Sequence, residues 1–270
     1  MIDFLSYGFV QRALLAGSLV AASCALLGVF LVLKRLSLIG DGMSHVCLTG
    51  VALALVTASN PVYMSVPVVV LSSLGIMKLT QKFKIYGDAA IGIVSACGLS
   101  VGLLITALAG GFNTDLLGYL FGNILTVSVS ETILCAVLLL FVLVGLLLFY
   151  RSLCVTCFDE AFAHTRGISV KTVNTVLTVT ASVAVVLAFK VVGIFLISAL
   201  LIIPPVSALL ISRSFKQVLV FSALFGVAGV WLGVYFSFVF NIPSGATIIF
   251  VNLLFLAGSY LFSKMGGSSV

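Results

Sequence analysis

Long runs without a charged residue constrain this chain more than any other feature of its sequence. A helix needs about 20 predominantly apolar residues to cross the hydrocarbon core of a bilayer. Ser59-Asn60-Pro61 divides one overlong run, because Pro lacks a backbone donor and restricts the residue before it. We therefore predict an all-α integral membrane protein, a polytopic bundle of nine transmembrane helices, or eight if one segment is re-entrant. Eight runs contain no Asp, Glu, Lys or Arg: residues 13–33, 42–77, 89–114, 132–150, 172–189, 191–212, 217–240 and 241–263.

The composition leaves room for one membrane domain and little else. Of 270 residues, 62% are hydrophobic and 7% are charged, and no polar stretch is long enough to bury a core of its own. We predict a single transmembrane domain over residues 1–270, with one substantial polar loop at about residues 151–171. A net charge of +6 would suggest nucleic acid as the partner of a soluble protein. In a membrane protein it reflects Lys and Arg held in cytoplasmic loops, so we expect no nucleic-acid partner.

The basic residues lie in alternate loops, which predicts the orientation of the chain. They follow the third, fifth, seventh and last predicted helices, whereas the loops at 110–130 and 241–245 contain no Lys or Arg. Cytoplasmic loops are enriched in Lys and Arg. We therefore place the basic loops in the cytoplasm, together with Lys34 and Arg35, and the N-terminus outside.

Asp41 and His45 lie four residues apart at the start of an apolar run, within Gly40-Asp41-Gly42-Met43-Ser44-His45. On a helix they share one face, and ionisable groups inside a membrane are costly and therefore usually functional. A carboxylate and a neutral imidazole suit zinc, manganese or iron(II), and two ligands make a transit site rather than a closed cage. A structural alternative is that Asp41 caps a helix beginning at Gly42, with His45 satisfied in its first turn. Both interpretations can hold together.

A polar segment follows the fifth predicted helix: Phe158-Asp159-Glu160-Ala161-Phe162-Ala163-His164-Thr165-Arg166-Gly167. It predicts a short amphipathic helix ended by Gly167, because the acidic residues of its first turn and Arg166 near its end complement the helix dipole. A helix this short is marginal in water on its own. It therefore either rests on another protein or is a solvated loop helix without a partner, and the residues alone favour neither.

Two further motifs allow more than one interpretation. Pro204-Pro205 lies deep in the run 191–212, where it should break or kink the helix and act either as a moving gate or as a packing kink. Cys154 and Cys157 have metal-ligand spacing, but a zinc site needs more ligands, no second cysteine pair exists, and His164 could be a third ligand. We expect these cysteines to be structural.

The sequence gives little support for a hydrolase. It lacks a Gly-x-x-x-x-Gly-Lys-Ser/Thr phosphate loop and a His-Glu-x-x-His motif. Gly98-Leu99-Ser100-Val101-Gly102 matches the string Gly-x-Ser-x-Gly, but it lies inside an apolar run of membrane-spanning length and not at the strand-to-helix turn that a nucleophile elbow needs. An intramembrane Ser–His dyad would have to use His45, whose neighbour Ser44 points about 100° away around the helix. We predict that the chain is not an enzyme.

Four stretches spread over nearly the whole chain resemble the membrane permease subunits of ABC-type zinc, manganese and iron uptake systems. The Gly-Asp-x-x-Ser-His element in the second stretch is the most specific. The sequence departs from the family pattern at Gly42 and Cys47, where other small residues are usual, and at Pro205, which doubles a proline that is usually single. The stretches are residues 11–17 (QRALLAG), 33–45 (LKRLSLIGDGMSH), 115–122 (DLLGYLFG) and 192–204 (VGIFLISALLIIP).

The resemblance implies roles for the motifs above. Asp41 and His45 correspond to the family's metal-path residues, whereas the gate or hinge at Pro204 and Pro205 rests on the backbone argument above. The loop helix looks like the element that docks on a partner ATPase in a type II-like ABC importer permease. Its ATPase-coupling residues would be Phe158, Asp159, Glu160, Ala161, Phe162, Arg166 and Gly167.

The resemblance also implies partners and a mechanism. An extracytoplasmic metal-binding protein would deliver the ion to two permease copies, as a homodimer or a paralogous heterodimer, in the bacterial cytoplasmic membrane among its lipids. A separate cytoplasmic ABC ATPase would drive alternating access, and no cofactor would be bound permanently. Residues 117–122 and 197–204 look more like zinc-system members, so we expect zinc as cargo, with manganese or iron as alternatives. From another class, the alternative is a secondary metal transporter or channel that works without ATP.

Overall fold

Helices account for almost all of the chain in the computed structural model, which describes residues 7–108 and 127–265. Within these two ranges the chain forms no β-strand. We number the described helices in chain order. They are α1 (Gly8–Leu33), α2 (Ile39–Val56), α3 (Pro61–Phe83), α4 (Gly87–Leu108), α5 (Val129–Phe158), α6 (Glu160–Thr165), α7 (Val170–Val192), α8 (Ile194–Ile211), α9 (Phe215–Phe240) and α10 (Ser244–Met265).

Within the described residues, each of the nine predicted membrane segments coincides with a helix; residues 109–114 of the fourth segment lie outside them. Eight described helices are long and apolar enough to cross a membrane, and α8 adds a shorter apolar helix. The predicted division of the longest run is confirmed, since Asn60 caps α3 by accepting a hydrogen bond from the Val62 amide at 3.0 Å, and Pro61 is the first helical residue. Pro suits that position because its missing N–H would have no partner there.

Three helices form the centre of the bundle. α1 packs against α5, α7, α8 and α9, α2 packs against α3, α4, α7 and α8, and α8 contacts α10 as well as α9. α4, α5 and α10 lie at the periphery, where many of their large apolar side chains are exposed. In a membrane, such side chains face lipid or another subunit.

Close helix contacts use small residues. The sequence has Gly-x-x-x-Gly pairs at 98/102, 118/122 and 229/233, a spacing that predicts such contacts because it lets helices approach closely. Gly98 and Gly102 of α4 lie against Val46 and Thr49 of α2, and the Thr49 hydroxyl donates to the Gly98 carbonyl. On α9, the pair Gly229 and Gly233 faces α10 in the same way. The predicted pair Gly118/Gly122 lies outside the described residues.

Pro204 and Pro205 do not break α8, which is helical from Ile194 to Ile211. This corrects the expectation of a helix break. Pro205 has no N–H to donate to the Leu201 carbonyl. That carbonyl oxygen lies against Gly28 of α1, and a Cβ added at Gly28 would also lie 2.7 Å from the Pro205 ring. Neighbouring helices thus hold the turn in place where the backbone ladder is interrupted.

The connections that carry basic residues meet at one end of the bundle. The Lys34 ammonium contacts Glu160 of α6, and the Phe158 ring lies 5.9 Å from that of Phe215 at the start of α9. This arrangement agrees with the predicted alternation of loops. Which end faces the cytoplasm stays a prediction.

Candidate functional site

Asp41 and His45 occupy the first two turns of α2. The helix begins at Ile39, three residues earlier than the structural alternative expects, and no side chain caps it. The Gly42 amide already donates to the Leu38 carbonyl at 3.0 Å. Asp41 is therefore not an N-cap, and that interpretation is wrong because the backbone turn at residues 36–39 starts the helix without help from a carboxylate.

The two side chains converge on one point. His45 Nε2 lies 3.7 Å from Asp41 Oδ2, too far for a hydrogen bond. Two atoms that each bind one metal ion at about 2.0–2.2 Å are at most about 4.4 Å apart. The observed separation therefore allows both atoms to reach a single ion without moving the helix.

The surroundings leave this pair free for a ligand. The Asp41 side chain is 49% exposed and that of His45 is 28% exposed, while the other imidazole nitrogen, Nδ1, is buried without a hydrogen-bond partner. The Ser44 hydroxyl donates to the Gly40 carbonyl at 2.7 Å within the helix. It is therefore engaged by the backbone, in keeping with the sequence argument against a Ser–His dyad.

Two glycines fix the turn that carries Asp41. A Cβ at Gly40 would collide with the Leu201 side chain of α8, and one at Gly42 would lie 2.6 Å from Cγ2 of Ile91 on α4. The turn is therefore held between α8 and α4, with the carboxylate between two positions of close contact. Nothing in the local sequence indicates these partners.

The proposed hinge lies beside this turn. Leu201, which contacts both Gly28 and Gly40, precedes Pro204 and Pro205 by one turn of α8. The sequence singles out both prolines and Asp41 but gives no sign that they are neighbours. Any displacement of α8 at the proline pair would reach the Asp41 turn through Leu201.

The loop helix is present where the sequence predicts it. Asp159 is the N-cap of α6, and its Oδ1 accepts a hydrogen bond from the Phe162 amide at 2.9 Å. Gly167 has a φ of +71°, and its amide donates to the His164 carbonyl at 3.0 Å, which ends the helix. The capping residues thus define a helix that is too short to be stable on propensity alone.

The corner formed by the end of α5, at Phe158, and by α6 presents apolar side chains outward. Phe158 is 71% exposed and Phe162 is 46% exposed, and the Arg166 guanidinium lies over the Phe162 ring at 5.0 Å. Asp159, Glu160, Ala161 and Gly167 are exposed as well, whereas Ala163 is fully buried. The predicted coupling residues therefore form one accessible surface, anchored by Ala163.

The structure gives the two cysteines at the end of α5 no metal-binding partners. Among residues 7–108 and 127–265, no group of three or more His, Cys, Asp or Glu side chains is placed to hold a metal ion. His164 therefore does not complete a site with Cys154 and Cys157. Within the same ranges, the Asp41–His45 pair has no third His, Cys, Asp or Glu side chain placed to share an ion.

Sequence comparison identifies a family over almost the whole chain. The model of the family described as ABC-3, the ABC 3 transport family, matches residues 6–263. The manganese transport system membrane protein MntC of Halalkalibacterium halodurans is 34% identical over 98% of this chain and 91% of its own length. The manganese import system permease protein ScaB of Streptococcus gordonii is 30% identical over 96% of this chain and 93% of its own length.

Structural comparison agrees with the sequence match. A solved structure described as PsaBC from Streptococcus pneumoniae in complex with Fab superposes with a TM-score of 0.85 at 30% identity, covering 98% of both chains. The helix bundle is therefore shared with the matched chain of that structure over almost its whole length.

Proposed function

Because this chain belongs to the ABC 3 transport family and is a multi-pass membrane permease subunit for metal transport, we propose that it imports a divalent first-row metal ion by alternating access. It is a transport subunit and not an enzyme. The observation that carries the proposal is the Asp41–His45 pair, whose Oδ2 and Nε2 atoms lie within reach of one ion. Two ligands bind weakly enough for release, which conduction requires.

We propose manganese as the cargo, with iron and zinc as competitors. The expectation of zinc is not confirmed, since both relatives named above carry manganese in their names. Carboxylate oxygen is a harder ligand than thiolate and suits manganese, while imidazole accepts all three metals. With one carboxylate and one imidazole, the pair does not strongly favour zinc. The names of the two relatives therefore support manganese as the first candidate among the three ions.

A second copy of the permease would complete the route. The Asp41 carboxylate is half exposed on the single chain, and a charged group exposed to hydrocarbon would be costly. It must therefore face water or protein. Pairing of two copies, identical or paralogous, would enclose the exposed carboxylate in a polar path that a binding protein could load from outside.

α6 would dock on the separate ATPase. Its exposed Phe162, and the exposed Phe158 at the end of α5, lie at the end of the bundle that the basic loops place in the cytoplasm. Aromatic side chains of this kind commonly anchor protein interfaces. The driving energy would come from ATP hydrolysis on that partner, since this sequence has no phosphate loop.

The test is manganese uptake by membrane vesicles that contain the complete transporter. Asp41→Asn and His45→Ala should each lower uptake at limiting manganese by about tenfold or more, since each removes one of two ligands, while insertion and assembly stay normal. Asp88→Asn is the matched control, because Asp88 is exposed at the start of α4 and its carboxylate contacts the Ala89 amide. Normal uptake by both site variants would refute the metal route.

The same vesicles test the alternative of transport without ATP. Uptake should stop when ATP is omitted or replaced by a non-hydrolysable analogue. Uptake that continues at the wild-type rate under a metal gradient alone would favour a secondary transporter or channel. Competition by zinc and by iron(II) in the same assay orders the three candidate ions.

A further inference from the structure

Lys34, at the end of α1, makes a long-range contact that the motif analysis did not anticipate. Its ammonium group donates to the Thr156 carbonyl at 3.0 Å and to Glu160 Oε1 at 3.2 Å. The Lys34 side chain is only 4% exposed, whereas that of Glu160 is 60% exposed. One buried cation thus joins the end of α1 to both sides of the corner between α5 and α6.

The chemistry of the contact makes it specific. The last carbonyls of a helix have no partner within the helix, and a cation there is favoured by the helix dipole. Thr156 belongs to the last turn of α5, and its oxygen takes Lys34 as a donor. A buried ammonium needs such partners, because its desolvation is costly without them.

The connection from Lys34 to Asp41 is short and internally bonded. The Leu36 amide donates to the Leu31 carbonyl at 2.8 Å, and the Ile39 amide donates to the Leu36 carbonyl at 3.0 Å. Leu36 is itself buried against the core. A displacement of Lys34 therefore carries over to the first turn of α2, where Asp41 lies, instead of being absorbed by a loose loop.

We infer that Lys34 is the positioning residue through which α6 and the Asp41–His45 turn move together. The inference rests on the proposed function. It makes Glu160 an internal tether, in contrast to the contact with an ATPase that the family resemblance implies. The apolar residues Phe158 and Phe162 remain the docking surface. When a partner displaces α6, the Lys34 contact pulls the corner between α1 and α2 with it.

The experiment measures manganese uptake per ATP hydrolysed in proteoliposomes that contain the permease, its ATPase and its binding protein. The variants are Lys34→Met, Glu160→Gln, the double substitution and the conservative Lys34→Arg. Lys82→Met is the control, because Lys82 is exposed on α3, in the last turn of a neighbouring helix. Co-purification of the ATPase with each permease variant is measured in parallel.

We expect Lys34→Met to lower uptake per ATP by at least about fivefold, the lower end of common coupling energies between sites, with ATPase binding unchanged. Glu160→Gln should have a smaller effect, because the Thr156 contact survives. The double variant should be no worse than Lys34→Met, since both changes break one linkage. Lys34→Arg should retain most of the coupling, and Lys82→Met all of it.

Two results would overturn the inference. One is wild-type uptake per ATP in Lys34→Met. The other is a loss of ATPase co-purification in Glu160→Gln with none in Lys34→Met, which would make Glu160 a partner contact. Failure of the wild-type protein to take up manganese at all would instead refute the proposed function, so the two failures are distinguishable.

Discussion

At the scale of single residues, the glycines on either side of Asp41 matter as much as the carboxylate. Gly40 and Gly42 are both buried, and each lets a different helix approach the turn. Asp41 therefore stays exposed between two contacts that fix its backbone. The family resemblance marks Gly42 as a departure, and the structure gives the reason, since Ile91 occupies the space that a Cβ would need.

Gly42→Ala should therefore destabilise the protein. The added methyl would lie 2.6 Å from Ile91 Cγ2, and overpacking of this kind costs about 1–3 kcal/mol. Gly92→Ala is the control. Gly92 follows Ile91 on α4, and a Cβ there would meet nothing within 4 Å. Thermal unfolding of the purified permease in detergent measures both. An equal or higher midpoint for Gly42→Ala would show that α2 and α4 are not in close contact.

At the scale of secondary-structure elements, α6 is a helix whose ends are set by its own sequence. Asp159 caps the start and Gly167 ends the last turn with a positive φ. The buried Ala163 and the contact of Glu160 with Lys34 hold the helix against the bundle, while Phe162 within it and Phe158 at the end of α5 are exposed. An element this small and this exposed is suited to docking.

Phe162→Asp should release the ATPase from the permease. The change removes an exposed aromatic side chain and its contact with Arg166, and loss of an aromatic anchor commonly costs about 2 kcal/mol or more of binding free energy. Metal-stimulated ATP hydrolysis should fall in parallel, while the permease stays inserted. Co-purification with tagged permease measures the binding.

Phe83→Asp is the matched control, since Phe83 is an exposed aromatic residue at the end of α3. It should leave co-purification unchanged. Wild-type stoichiometry and transport in Phe162→Asp would mean that α6 is not the docking element.

At the scale of the whole molecule, the basic connections of the described chain gather at one end of the bundle. The contacts of Lys34 with Glu160 and of Phe158 with Phe215 join three of these connections. At the other end, the Tyr7 ring lies 6.3 Å from that of Phe238. α1 and α9 therefore run antiparallel, as the predicted alternation of the connections requires.

Single cysteines introduced into a cysteine-depleted background should report this topology. Lys82→Cys, Arg166→Cys and Arg213→Cys should react only with a reagent that enters the cytoplasm, because loops rich in Lys and Arg stay inside. Pro243→Cys should react from outside, as should Asn113→Cys, which lies outside the described residues. Labelling of positions 166 and 243 from the same side would contradict the nine-segment arrangement.

The sequence alone determined the features that depend on neighbouring residues. Apolar runs of membrane-spanning length define the helices, Asn60-Pro61 marks a helix start, and the spacing of Asp41 and His45 places both on one face. The ends of α6 follow from Asp159 and Gly167. Each is a local property, since hydropathy, capping and helical periodicity act over a few residues along the chain.

Only the tertiary structure decided which distant segments meet. Lys34 and Glu160 are 126 residues apart, and neither carries a pattern that names the other. Leu201 is one of many leucines, yet it lies against both Gly28 and Gly40. In a uniformly apolar chain hydrophobicity does not distinguish one helix pair from another, because lipid is as apolar as the helices. Close packing of small residues and a few buried polar contacts select the neighbours instead.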